Sequence, residues 1–142
     1  DVIVIAGMGG LLMRDILQSG DSVIGKDTLL ILQPMLAARE LREYLYSSGF
    51  DIFDEYVCRE QDKFYNIITA RRGEGKHGEY DMIFGRNLRK NSPETFEAYV
   101  DYRLRVLGKI ANGMRKSAHS SPIELAAVEN ELKILEKARN IQ

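Results

Sequence analysis

Residues 1–33 run from an apolar strand through a glycine turn and a helix into a second apolar strand, and few architectures accept that order. Asp1-Val-Ile-Val-Ile-Ala6 is continuous and β-branched, as expected for a strand buried on both faces. Gly7-Met8-Gly9-Gly10 follows directly. Leu11, Leu12, Asp15, Ile16 and Leu17 then recur at helical spacing, with Gly20 as a stop. Leu29–Leu32 reads as a second buried strand, closed by Gln33-Pro34-Met35. Met35 to Ser48 predicts another helix, with Leu36, Leu41 and Leu45 inside, Arg39, Glu40, Arg42 and Glu43 in solvent, and Gly49 at its end. This β-α-β-α order implies a parallel sheet with right-handed crossovers. A glycine turn at the carboxyl end of such a strand is where open α/β sheets place ligand chemistry. Because the first element is an apolar strand, the sequence predicts more sheet on its N-terminal side. Val2–Ala6 is then central in the intact protein, and here it exposes an unpaired edge and an apolar face. Self-association through that edge is one way to cover it.

The pattern then changes. Phe50–Cys58 and Phe64–Arg72 are strand-like and separated only by residues 59–63, too short a gap for a crossover helix, so they predict an antiparallel hairpin. A parallel sheet ending in this way is the ending of the class I methyltransferase fold. Gly73–Gly78 reads as a loop and Tyr80–Leu88 as irregular, with Ile83 and Phe84 packing back on the sheet. Ser92-Pro93 and Ser121-Pro122 start two helices, the second with a capping box through Glu124. Phe96, Val100, Leu104, Leu107, Ile110 and Met114 form one stripe, and Leu125, Val128, Leu132 and Leu135 the other. Such narrow seams read as an antiparallel coiled-coil hairpin. The expected domains are residues 1–90, α/β, and residues 91–142, the helical arm.

At 44% hydrophobic and 29% charged, the 142 residues suit a globular chain, and no apolar run reaches the length of a membrane span. One cysteine, Cys58, and two distant histidines, His77 and His119, argue against a disulfide framework and a metal site, and a reduced, cytoplasmic setting is expected. Cys58 itself reads as a small buried hydrophobe, and both histidines as exposed and passive. Charge is unevenly spread: residues 1–85 carry a net −5, residues 86–119 a net +5, and the remainder −1. The basic segment contains Arg86, Arg89, Lys90, Arg103, Arg105, Lys109, Arg115 and Lys116. Such a concentration is either an electrostatic footprint for a polyanion or a solvated helix face.

The glycine turn admits several readings. A dinucleotide fingerprint fails, because Leu12 occupies the third glycine position and the following strand ends in Gln33 where an acid is needed. A tight structural turn and a ligand-contacting turn both remain. Gln33-Pro34 lies at the same sheet edge, where its amide is a candidate ligand contact and its proline equally suits a strand stop and a helix start. Arg14 and Asp15, adjacent on a helix, do not face together and read as surface residues. Phe64 or Tyr65 could stack on a base, with core packing as the other role.

Ile5-Ala-Gly-Met-Gly-Gly10, Leu32-Gln-Pro-Met35, Lys63-Phe-Tyr-Asn-Ile-Ile68 and Phe84-Gly85 together resemble the TrmK family, bacterial tRNA (adenine-22-N1)-methyltransferases that use S-adenosylmethionine. The resemblance extends over the whole chain. It implies that Gly7–Gly10 takes the place of the Asp/Asn-Pro-Pro-aromatic segment of other N-methyltransferases, beside the methyl group and the target base. It also implies that the cofactor-binding first strand, its glycine turn and the ribose-holding acid precede the region present here. The chain then corresponds to the second half of the methyltransferase sheet plus the arm. The residues expected at the cofactor or target-base pocket are Gly7, Met8, Gly9, Gly10, Gln33 and Pro34, with the basic segment on tRNA. Arg86 departs from the proline expected after Phe84-Gly85. A non-enzymatic RNA-binding module is the alternative; a nicotinamide dehydrogenase is disfavoured by Leu12 and the terminal hairpin.

Overall fold

In the computed structural model, which describes residues 1–141, Val2–Met8 (β1), Leu29–Pro34 (β2), Phe50–Glu60 (β3) and Lys63–Arg72 (β4) form one sheet in the order β1-β2-β4-β3. β1 and β2 are parallel, while β4 runs antiparallel to both β2 and β3. The hairpin therefore folds back, and its second strand inserts next to β2. Gly10–Ser19 (α1) links β1 to β2, and Ala38–Ser47 (α2) links β2 to β3.

The two helices cover one face. Met13 and Leu17 of α1 and Leu41 and Leu45 of α2 meet Leu30, Leu32, Phe50, Ile52, Ile68 and Ala70 in a single core, with Ile3 and Ile5 packed against it. Val2 and Val4 point the other way and are 59% and 64% exposed, so β1 alternates instead of being buried on both faces. Leu11, Leu12 and Ile16 of α1 are also exposed. Leu36 does not join the α2 stripe. It precedes the helix, is 75% exposed, and is followed by Ala37 at φ 56°, which turns the chain. Pro34 thus ends β2 without starting α2.

Each of two strand irregularities changes which way side chains face. The β1–β2 register slips between Ala6 and Met8, leaving Gly7, at φ 74°, as the extra residue. The β3–β4 register slips between Ile52 and Asp54, leaving Phe53 over. The second bulge sets Glu55 directly opposite Ile68, hence on the helix-covered face.

Residues 80–88 are not irregular. Glu79–Phe84 (α3) and Leu88–Asn91 (α4) are short helices, with Ile83, Phe84 and Leu88 buried. Compact units divide at Pro93/Glu94. In the second, Pro93–Lys116 (α5) and Pro122–Asn140 (α6) run antiparallel: Arg103 pairs with Glu131, Arg115 with Glu129 at 2.9 Å, and Arg139 with Asp101 at 3.2 Å. Ser121 caps α6 by accepting the Glu124 N–H at 3.4 Å. Ala111, not Ile110, is the buried residue four places beyond Leu107, since a straight helix advances 3.6 residues per turn.

Candidate functional site

At the carboxyl edge of β1 and β2, the bulge takes the Gly7 N–H out of the strand ladder, and the Gln33 side chain replaces the lost partner: Gly7 N–H donates to Gln33 Oε1 at 3.0 Å. Gln33 Nε2 lies 3.3 Å from the Pro34 carbonyl and 3.4 Å from Met35 Sδ. Two main-chain bonds complete the clip, Met35 N–H to the Met8 carbonyl at 2.8 Å and Gly10 N–H to the Leu36 carbonyl at 2.7 Å. The acceptor oxygen of Gln33 therefore fastens the turn, an arrangement that a reading of Gln33 as a ligand contact alone does not contain.

The glycines differ in what they permit. A Cβ on Gly7 or Gly9 would meet nothing within 4 Å, so this backbone is open to close approach. A Cβ on Gly10 would lie 2.3 Å from the Ala37 carbonyl oxygen, so Gly10 is required by packing. Met8 and Met35 are exposed beside the turn. Tyr65 and Phe64 are half-buried on β4; Arg59 lies over Phe64 at 5.6 Å, and Tyr65 is opposite Cys58, which is exposed and not a buried hydrophobe. Arg14 and Asp15 do pair, at 2.9 Å, because the arginine is long enough to fold back; both stay exposed.

The basic segment divides between internal duty and solvent. Arg103 and Arg115 make ion pairs across the helical hairpin. Arg86 donates to the Lys76 carbonyl, and its main chain exchanges hydrogen bonds with Glu55, N–H to Oε1 at 3.1 Å and carbonyl from the Glu55 N–H at 3.0 Å. Lys90, Arg105, Lys109 and Lys116 are exposed, Arg105 over the Tyr102 ring at 5.7 Å, and Arg89 is half-buried.

Behind the sheet lies a feature that the sequence pattern did not disclose. Arg42, expected in solvent, is 2% exposed, and Glu55 is fully buried against it. Arg42 Nη2 donates to Glu55 Oε2 at 2.9 Å, Nε reaches both carboxylate oxygens at 3.1 Å, and Nη1 donates to the Met82 carbonyl at 3.1 Å. Burial pushes the Glu55 carboxyl up, and the Arg42 guanidinium and the Arg86 N–H pull against it. Gly85, at φ 94°, is the residue that leaves room, since a Cβ there would sit 2.4 Å from Glu55 Oε2. The available signal was Arg42 three residues before Leu45, on the helix face that buries Leu41 and Leu45.

Tyr46 closes this cluster. Its ring stacks on His77 at 4.0 Å, so His77 is exposed but not passive. Its buried hydroxyl meets no partner at full hydrogen-bond geometry among the described residues, and the Arg86 side chain is the group that interacts with it. Burial first, then the charges of Glu55 and Asp81, push its pKa from 10.0 up to about 12, with Arg86 opposing. A folded-state pKa above the unfolded one gives stability that is complete below pH 10 and is lost as pH rises towards 12. Wild type is therefore expected to lose stability relative to Tyr46→Phe across pH 10 to 12, read by urea unfolding at each pH; parallel curves would contradict the shift.

Among the described residues, no helix is long and apolar enough to cross a membrane, and no group of three His, Cys, Asp or Glu could hold a metal. A mixed sheet with helices between its parallel strands and a glycine turn at their carboxyl edge defines a Rossmann-like α/β protein of the kind found among methyltransferases. The family model described as tRNA (adenine(22)-N(1))-methyltransferase, TrmK, matches residues 1–137, and the chain belongs to that family. The tRNA (adenine(22)-N(1))-methyltransferase of Bacillus subtilis (strain 168) is 42% identical over 84 residues, 58% of this chain and 34% of the relative. The crystal structure of Bacillus subtilis TrmK superposes with a TM-score of 0.82 at 27% identity, over 99% of this chain and 63% of that one. Streptococcus pneumoniae Sp1610 in complex with S-adenosyl-L-methionine gives 0.78 at 27% identity, over 98% of this chain and 60% of that one. The match thus spans about three-fifths of those solved chains and a third of the curated relative.

Proposed function

We propose that this chain is the second half of a class I methyltransferase domain with its coiled-coil arm, and that the whole protein methylates N1 of adenine 22 in tRNA from S-adenosylmethionine. The observation that carries this reading is the Gly7 bulge clipped by Gln33, at the carboxyl edge of the parallel strands, with open space over Gly7 and Gly9. The unpaired β1 edge, with Val2 and Val4 exposed, fits further sheet on that side; a second copy is the other occupant that would cover it. Lys90, Arg105, Lys109 and Lys116 supply the cations for the tRNA backbone, with Arg86, Arg89, Arg103 and Arg115 partly engaged within the protein. A tRNA substrate places the protein in the cytoplasm.

S-adenosylmethionine supplies an electrophilic sulfonium methyl. Transfer to the N1 lone pair of adenine would break the S–CH3 bond, with the neutral thioether leaving and the positive charge passing to the base, so this chain need provide neither a nucleophile nor a metal. Its task is positioning: the open backbone at Gly7 and Gly9 admits a ligand, and Gln33 and Gly10 fix the turn, with the exposed Met8 and Met35 bordering it.

The test is transfer of labelled methyl to bulk tRNA, using this chain and the product of its complete reading frame. Label recovered as N1-methyladenine with the longer product, and not with this chain alone, is the expected result. Binding of tRNA without any transfer by either would favour the non-enzymatic RNA-binding module.

A further inference from the structure

Away from the glycine turn, α3 and α4 enclose an open depression of about 390 Å³ lined by Tyr80, Asp81, Asn87, Leu88, Arg89 and Lys90. Its size falls within the range of small-ligand sites. The Tyr80 ring is 42% exposed yet held from behind, its centroid 4.6 Å from that of the fully buried Phe84. Opposite it, α4 is anchored firmly. Asn87 Nδ2 donates to Asp54 Oδ1 at 2.8 Å and to the Phe53 carbonyl at 3.2 Å. Asn91 Nδ2 donates to Asp54 Oδ1 at 2.9 Å and to the Glu55 carbonyl at 3.0 Å. Asp81 accepts the Gly78 N–H at 2.9 Å and so caps α3. The lining brings Lys90 and Arg89 together with Asp81, and Asp54 lies near enough to Lys90 to feel its charge. Burial raises the Tyr80 pKa, with the Arg89 charge opposing the rise and the Asp81 charge adding to it.

We propose that this depression takes one unstacked nucleotide of an RNA strand, with the base on the face of Tyr80 and the phosphate on Lys90 and Arg89. An exposed, rigidly backed aromatic ring with cations at its rim is the arrangement by which proteins hold single-stranded nucleic acid, since every base has a face to stack. Inorganic phosphate would need the cations and not the ring; an apolar ligand would need the ring and not the cations. The proposal rests on the RNA-substrate reading given above and adds a second contact, outside the methyl-transfer turn, that selects unpaired over paired RNA.

Fluorescence anisotropy of the complete protein with a labelled single-stranded RNA hexamer and with an RNA duplex tests it. Tyr80→Ala is expected to weaken hexamer binding about tenfold, the size of one lost stacking contact, and to leave duplex binding within about twofold. Tyr80→Phe keeps the ring and should bind the hexamer like wild type, with thermal melts reporting that both variants fold. Lys90→Ala should weaken the hexamer and reduce the slope of log affinity against log salt by about 0.7. Unchanged hexamer affinity in Tyr80→Ala, or an equal loss on duplex, would overturn the site. Tyr80-dependent hexamer binding with no methyl transfer by the complete protein would keep the pocket and remove the methyltransferase reading; methyl transfer with no Tyr80 effect would do the reverse.

Discussion

Arg42→Ala is expected to destabilise this chain by about 3–5 kcal/mol, because removing one partner of a buried ion pair leaves the other charged and unsolvated. Glu55 is fully buried, and the hydrogen bonds it receives from side chains all come from Arg42. The carbonyl of Met82 loses its Nη1 donor in the same step, which loosens α3. Urea unfolding at neutral pH measures the loss. The penalty should shrink in acid. Without the guanidinium, burial raises the folded-state pKa of Glu55 above its unfolded value. A raised pKa means that stability is present below the unfolded value and is lost as pH rises. Replacing both partners together, Arg42→Met with Glu55→Leu, should recover most of the loss, since an apolar pair has no desolvation to repay. A single variant that unfolds like wild type would show that the pair contributes nothing. Gly85 belongs to the same unit, because its missing Cβ is the space that the carboxylate occupies.

Gly10→Ala should have the largest effect on the proposed chemistry. The added methyl would lie 2.3 Å from the Ala37 carbonyl oxygen and 2.9 Å from that of Leu36, both backbone atoms that no rotamer change can move. The 2.7 Å hydrogen bond from Gly10 N–H to Leu36 would break, and α1 would separate from the 34–38 segment. Overpacking of this kind costs about 1–3 kcal/mol. In the complete protein, a displacement near 1 Å at a positioning turn is expected to lower kcat about 100-fold. Gly9→Ala is the control. It meets open space, so its melting temperature should match wild type; any loss of methyl transfer there would report ligand approach and not misfolding. Equal activity in Gly10→Ala and wild type would separate this turn from catalysis.

Much of the scaffold was legible in the residues. The continuous apolar run at 2–6, the glycine turn, the second apolar run Leu29–Leu32 and the short gap between the last two strands dictated a mixed α/β sheet, and the structure has its strands where those patterns lie. The two helices of residues 93–116 and 122–140 were legible because their period is a local property, although the inward stripe of the first passes through Ala111 and not Ile110. The apolar character of β1 pointed to burial on both faces, and Val2 and Val4 are exposed. The pairing of Gly7 with Gln33 was half legible, since both were placed at one edge but no sequence rule says that a glutamine oxygen replaces a ladder bond.

What only the tertiary structure decided comes from two extra residues. The leftover residue at Phe53 inverts the alternation of β3, so that Phe50 and Ile52 are followed inward by Glu55 and Val57. A period of two counted from Phe50 puts Glu55 in solvent, and with it Arg42. The bulge instead turns the carboxylate under α2, where a guanidinium in solvent would otherwise leave it unpaired, and the pair forms because each buried charge requires the other. The same holds at Gly7, where one extra residue frees an amide that a distant side chain must satisfy. Local periodicity is written in the sequence because it depends on neighbours in the chain. A bulge depends on what the opposite strand pairs with, and so do the buried charges and the turn geometry that rest on it.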